Sequence, residues 1–305
     1  MTAQIIAHRG ASGYRPEHTQ AAYELAFRQG VDAVEPDLVL SRDGVVVIRH
    51  EHELSRTTDV AARPEFAARR RTGFGDEGPV VGWFTEDFDW EELATLRARE
   101  PHPELRPLSA VRDGDGGILR FSDVLSLLGT EQAVSAAGAP TRLVAELKSA
   151  AGFAESGLDL PSAVRRDLER AGWAPDDPRL VIESFEADAL HALDGWGTRV
   201  LLVEEAHWPL EGLAAADPFD GLSCETERIL TDPDIAHRLH ERGKLAYAYT
   251  LRAENAWLPE AYRSAGAPSD FGRWRPWFER VIAAGFDAVF ADQPDLALEA
   301  VRGRA

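Results

Sequence analysis

Sulfur is nearly absent from this chain: Cys224 is its one cysteine and Met1 its one methionine. A single thiol excludes an internal disulfide, and no cysteine pair or close histidine pair offers a zinc site. Long apolar runs are missing as well, for no stretch approaches the ~20 residues that a membrane-spanning helix requires. Positive charge is scarce. Lys and Arg number 33 against 52 Asp and Glu, a net charge of −19 over 305 residues. With no Lys/Arg run able to track a phosphate backbone, a nucleic-acid partner is excluded. Stable association with an anionic membrane surface is disfavoured for the same reason. Any site for an anionic substrate must therefore bring its own local cations. No Walker-type glycine loop is present, so nucleotide hydrolysis has no support. Met1-Thr2-Ala3-Gln4 runs straight into an apolar segment. That leaves no room for a signal peptide, and a cytoplasmic location is expected.

What is present is a rhythm. Short apolar runs begin at Ile5, Ala33, Leu143, Leu180, Val200, Gly221, Leu245 and Ala288. Helical periodicity marks 20–28, 160–171, 186–193, 234–242, 274–284 and 295–302, with Thr19 set to cap the first helix and Gly30 to end it. Strands alternating with helices build a parallel sheet, and eight such strands close a barrel. The expected fold is α/β, a (β/α)8 TIM barrel forming one domain over residues 1–305. Asp43-Gly44 is a turn signal, so Val45–His50 reads as a hairpin return from Ala33–Leu40. Between Asp59 and Gly117 the rhythm breaks into Arg, Gly, Pro and charge, with one helix expected at Trp90–Ala98. This stretch reads as an insertion at the catalytic face.

The chemistry sits at strand ends. His8 follows Ile5-Ile6-Ala7, Glu35-Pro36-Asp37 lies in the second run, and His50 follows Val45-Val46-Val47-Ile48-Arg49. Alternate side chains of a strand share a face, so Glu35 and Asp37 point the same way. Carboxylates that close repel unless a cation or proton lies between them, and a hard divalent metal meets that need. Imidazole titrates near neutrality, which suits His8 and His50 to moving protons around such a site. Glu146, read alone, stays open between a ligand and a solvated charge. Arg9 and Lys148 are placed to neutralise a phosphoryl group, although Lys148 could instead pair with a metal carboxylate. His18 and His52 read as loop-ordering residues. His102, His191, His207, His237 and His240 receive no role. Glu183-Ser184-Phe185, Glu204, Tyr249-Thr250 and Asp292 also stand at strand ends, where they can line a pocket without an assigned role.

At these residues the chain resembles the glycerophosphodiester phosphodiesterases, in particular their longer bacterial members. The resemblance rests on HRGASGYRPEHT from His8 to Thr19, EPD at Glu35 and HEHELSRTT from His50 to Thr58. AELK at 145–148 and ADQPD at 291–295 extend it to nearly the whole chain. Glu51 and His18 depart from it, standing where the family commonly has Asp and Asn. The resemblance implies that Glu35, Asp37 and Glu146 hold one divalent cation, Ca²⁺ or Mg²⁺, beside the catalytic pair His8 and His50. It implies a small phosphodiester as substrate, a deacylated phospholipid split into glycerol 3-phosphate and an alcohol. In that chemistry the glycerol 2-hydroxyl attacks phosphorus, and water then opens a cyclic phosphate. His8 is read as the base and His50 as the acid.

Two rivals are open. A lysophospholipase D or sphingomyelinase D-like activity would need an apolar surface at the barrel mouth. Trp83, Phe84, Phe88 and Trp90 could supply it, or could be the insertion's own core, which is the expected reading because an insertion of this length needs apolar contacts to fold. A metal-binding barrel without catalysis is the other rival. Both histidines beside the carboxylates argue against it.

Overall fold

A computed structural model of the chain describes residues 2–75, 78–204 and 216–303; His207 lies outside them. Twelve strands are described. They are β1 (Gln4–His8), β2 (Ala33–Glu35), β3 (Asp37–Leu40), β4 (Val46–Ile48), β5 (Arg71–Gly75) and β6 (Gly78–Gly82), followed by β7 (Arg142–Leu147), β8 (Leu180–Ser184), β9 (Thr198–Val203), β10 (Gly221–Glu225), β11 (Leu245–Leu251) and β12 (Ala288–Ala291). The sheet order is β2-β1-β12-β11-β10-β9-β8-β7-β3-β4, and a further β2–β7 pairing closes it. The result is a parallel eight-strand (β/α)8 barrel, with helices between the strands.

The second barrel strand, expected as one run, is two. Pro36 has no N–H for the ladder and interrupts it. Its carbonyl still accepts from the Glu146 N–H at 3.0 Å. Both halves pair with β7, at Ala33↔Arg142 and Asp37↔Glu146, so the barrel stays closed across the break. β4 returns antiparallel on β3, as the Asp43-Gly44 turn implies.

Strand alternation sorts the side chains into two cores. Ile6, Ala33, Val144, Val181, Val200 and Phe290 form a buried cluster inside the barrel. Ile5, Val34, Leu143 and Leu180 face outward, into a larger cluster with helix residues such as Ala26, Leu168 and Phe278. Two residues beyond the inner layer, on the same face, stand His8, Glu35, Glu146, Glu183, Leu202 and Asp292. The polar mouth is thus the layer directly above an apolar floor.

Between β4 and β7 the chain is more ordered than its composition suggests. β5 and β6 form a two-stranded hairpin. The helix expected over Trp90–Ala98 ends at Leu93. Beyond it the backbone pairs across space instead, the Ala98 N–H to Gly116 O and the Arg99 N–H to Thr57 O, each at 2.9 Å. Tertiary pairing overrides local helix propensity here. Trp83, Phe84 and Phe88 are buried, and Trp90 packs part-buried against the outer core, so these aromatics are interior. Among the described residues no helix is long and apolar enough to cross a membrane.

Two glycines in the left-handed region separate strain from close packing. Gly10 (φ 78°) would bring a Cβ within 2.7 Å of the Ala22 backbone, whereas Gly44 (φ 76°) has open space around it. Gly44→Ala is expected to cost about 1 kcal/mol, the left-handed penalty alone. Gly10→Ala must also push the first helix off β1, and at least twice that loss is expected in urea unfolding followed by tryptophan fluorescence. Equal losses would contradict the close approach.

Candidate active site

The barrel mouth collects carboxylates. Oxygens of Glu35, Glu146 and Glu183, all buried, lie within 4.8 Å of one another. Asp37 pairs in register with Glu146 on the neighbouring strand and is also fully buried. Three of the oxygens, Glu35 Oε1, Asp37 Oδ1 and Glu183 Oε2, have no hydrogen-bond partner among the described residues. Burial, together with the charges of Asp37 and Glu146, pushes the Glu35 carboxyl well above its usual range. Glu183 is raised in the same way, by burial and then by Glu146 and Asp37. Burial lifts Glu146 to about 8, with the Lys148 ammonium pulling against it. Asp37 alone goes the other way. Against the burial cost, His50, Arg9 and a hydrogen bond from His18 hold it well below the carboxylate range.

The chain's own cations therefore leave this cluster under-compensated. Buried oxygens aimed at a common space, with no soft ligand among them, are the donor set of a hard divalent cation. The cluster contains Glu183, which the sequence reading left as a pocket-lining residue. The signal was available, because Glu183 has the same inward parity over Val181 that Glu146 has over Val144.

The histidines flank the cluster in different settings. His8 Nδ1 lies 2.6 Å from Asp292 Oδ1. Asp292 is held well below its usual range: burial opposes ionisation, but Arg252, Arg106 and His8 outweigh it. It therefore accepts, and His8 donates from Nδ1, which leaves the Nε2 lone pair for the pocket. Burial and the Arg9 charge bring His8 down to about 4, so the ring is neutral at rest. His50 is also lowered, by burial and then by Arg9 and Lys148. Lys148 Nζ stands 3.2 Å from His50 Nε2 and 2.9 Å from Glu146 Oε1. Lys148 thus touches both a histidine and a cluster carboxylate, and the second contact is the carboxylate pairing that the sequence left open beside a phosphoryl role.

Arg9 is committed on several sides. Its N–H donates to Glu35 Oε2 (2.8 Å), its Nη1 to Glu17 Oε2 (2.8 Å), and its Nε lies 3.3 Å from Asp37 Oδ2. Arg9 also takes a left-handed backbone (φ 59°), a conformation that costs energy for a non-glycine residue and recurs at functional sites. His18 is fully buried between the Tyr23 hydroxyl (2.9 Å) and Asp37 Oδ2 (2.8 Å). Buried Arg49 ties the loop after β4 to Thr57 O and Glu17 O.

Two cavities open here. One, of about 290 Å³, occupies the barrel mouth and touches Glu146, Lys148, Glu183, Glu204 and Tyr249. The other, of about 230 Å³, lies on the side of His102 and Arg106. His8, Arg9, His50 and Arg252 line both. Larger grooves elsewhere, one of about 570 Å³ beside Arg120 and Arg166 and one of about 780 Å³ beside Asp159 and Glu186, hold no histidine.

Arg106 comes from the segment between β4 and β7 yet ends at the histidine's carboxylate. Its Nη2 donates to Asp292 at 2.5 Å and its Nε to Glu254 at 2.8 Å, with its side chain 6% exposed. Cutting one partner from a buried ion pair strands the other charge. Arg106→Met is expected to cost about 3–5 kcal/mol of unfolding free energy. A loss under about 1 kcal/mol in denaturant titration would show that this contact is not buried in solution.

A family model for the glycerophosphoryl diester phosphodiesterase family matches residues 8–296. A glycerophosphodiester phosphodiesterase of Haemophilus influenzae is 28% identical over 200 residues, 61% of this chain and 50% of that protein. One of Treponema pallidum is 44% identical over 94 residues, 31% of this chain and 24% of that protein. The chain thus spans half or less of the length of these curated relatives. Among solved structures, an Oleispira antarctica phosphodiesterase in complex with the product sn-glycerol-3-phosphate aligns with a TM-score of 0.68 at 24% identity, over 99% of this chain and 97% of that one. A glycerophosphodiester phosphodiesterase from Agrobacterium tumefaciens aligns at 0.63 and 18%, over 97% of this chain and 99% of that one. At such identities the structural likeness is one of fold, and the family model carries the assignment: this chain belongs to the glycerophosphoryl diester phosphodiesterase family.

Proposed function

We propose that the protein is a divalent-metal-dependent phosphodiesterase that splits glycerophosphodiesters into glycerol 3-phosphate and an alcohol. The observation that carries this reading is the buried, under-compensated carboxylate cluster flanked by His8 and His50. Glu35, Asp37 and Glu146, joined by Glu183, would hold the cation, and their all-oxygen donor set fits Mg²⁺ or Ca²⁺. When bound, such a cation lowers the pKa of a hydroxyl and polarises a phosphoryl oxygen.

The chain's residues divide the remaining work. His8 Nε2 takes the proton of the glycerol 2-hydroxyl, and Asp292 stabilises the imidazolium that forms. As the 2-oxygen bonds to phosphorus, the bond to the leaving alcohol breaks, and His50 gives that alcohol its proton. The Lys148 ammonium, 3.2 Å from His50 Nε2, is placed to resupply that proton. Arg9 and Lys148, with Arg252 beside them in the same cavity, face the phosphoryl charge that the acidic surface would otherwise repel. Water then opens the cyclic phosphate, with the two histidines exchanging roles. The Oleispira relative's bound product, sn-glycerol-3-phosphate, supports the product class. The lipid-active alternative loses its motive, because Trp83, Phe84 and Phe88 are buried. The oriented His8–Asp292 pair argues against a barrel without catalysis.

Chelation is expected to abolish release of glycerol 3-phosphate from glycerophosphocholine or glycerophosphoethanolamine, and Mg²⁺ or Ca²⁺ to restore it. His8→Ala and His50→Ala should each lose on the order of 10²–10⁴ in turnover while still binding metal. Full activity with metal content confirmed as nil would sink the metal mechanism. Near-native turnover in either variant would remove that histidine from it.

A further inference from the structure

Asp292 divides its two oxygens. Oδ1 accepts from His8 Nδ1 at 2.6 Å, while Oδ2 takes two guanidinium groups, Arg106 Nη2 at 2.5 Å and Arg252 Nε at 2.8 Å. The Cβ–Cγ torsion of an aspartate has broad wells, so one bonded oxygen leaves the carboxylate plane loose. Charge-assisted bonds to the far oxygen fix that plane, and with it the His8 ring. The two arginines are not equivalent. Arg252 lines both cavities and is 30% exposed, so a phosphoryl group in the barrel mouth draws on it too. Arg106 is buried and lines only the second cavity.

The protein itself holds Arg106 in place. Nε donates to Glu254 at 2.8 Å, Nη1 donates to Ser12 O at 3.3 Å, and the Trp257 ring lies 4.6 Å from the guanidinium carbon. Glu254 also accepts from Gln293 Nε2 at 2.8 Å and lines neither cavity. Loops after β1, β11 and β12 thus converge on a guanidinium that none of them supplies. It comes from the segment between β4 and β7. There Arg106 opens the short helix Pro107–Ala110, and its carbonyl accepts from the Ser109 and Ala110 N–H groups at 3.0 Å. The fork of Arg106 therefore joins a carboxylate outside both cavities, Glu254, to the one that touches the histidine.

We propose that Arg106 is a positioning residue of the reaction, acting through Asp292 to hold the His8 ring with Nε2 toward phosphorus. The segment between β4 and β7 then takes part in turnover, through a side chain that never touches the reacting atoms. The inference rests on the phosphodiesterase reading, in which His8 moves a proton. A group that orients the base, and binds no part of the barrel mouth, changes kcat far more than KM.

The test compares the metal-loaded protein with Arg106→Met and Arg106→Lys, each made alone and in the His8→Ala background, on glycerophosphoethanolamine. Turnover is counted per folded chain, from tryptophan fluorescence. Arg106→Met is expected to lower kcat at least about tenfold with KM within about threefold, because orientation of the base is felt in the transition state. Arg106→Lys keeps the buried charge and so spares folding, but its single ammonium lacks the fork that spans both carboxylates. A smaller loss in kcat is expected of it. With His8 already absent, neither substitution should lower kcat further by more than about twofold, because groups that act as a unit are non-additive. Packing alone would cost the same factor in both backgrounds. Should Arg106→Met not fold, Arg106→Lys decides. An equal factor in both backgrounds, a loss that falls on KM alone, or unchanged kcat overturns the positioning role while the phosphodiesterase reading stands. If the intact protein cleaves no glycerophosphodiester, that reading falls and the positioning role falls with it.

Discussion

Everything at the mouth of the barrel follows from crowding of like charge. Four carboxylates share one buried layer at the mouth of the barrel, and burial alone would protonate most of them. The chain answers with only a few cations and hydrogen-bond donors. Arg9 spans Glu35, Asp37 and Glu17, Lys148 reaches Glu146, and His18 holds Asp37. Three carboxylate oxygens still have no hydrogen-bond partner among the described residues. Such a layer is costly unless a cation completes it, so function and local stability converge on the same residues.

A second constraint links distant parts of the chain. Asp292 accepts from His8, Arg106 and Arg252 and so fixes the tautomer of His8. Arg106 lies 186 residues away in sequence, in the segment between β4 and β7. That segment's aromatics are interior, with guanidinium groups stacked on them, Arg69 over Phe88 at 4.7 Å and Arg71 over Phe84 at 4.2 Å. The segment therefore contributes a buried charge to the polar layer at the barrel mouth.

Much of this was legible in the sequence because it depends on period. The eight barrel strands follow from alternating apolar runs, and the β3–β4 return from the Asp43-Gly44 turn. The position of His8, Glu35, Glu146 and Lys148 at one mouth follows from parity at strand ends. Glu183 obeys the same parity, but it stands beside a serine and a phenylalanine that read as pocket wall. Other features had no local signal. The His8–Asp292 bond spans 284 residues. Arg106 sits in a stretch without periodicity. The hairpin β5–β6 is rich in glycine and half exposed, so no two-residue alternation marks it. The short helix at Trp90 gave way to pairing with Gly116 and Thr57, which only the folded chain supplies.

The central claim is that the carboxylate layer is a binding site for one hard divalent cation. Calorimetric titration of the metal-stripped protein with Mg²⁺ or Ca²⁺ tests it without reference to any substrate. The account predicts one ion per chain, with affinity lowered at least about tenfold by Glu35→Gln, Glu146→Gln or Glu183→Gln. A chain that binds neither ion, or binds it equally well with those carboxylates neutralised, would contradict the account.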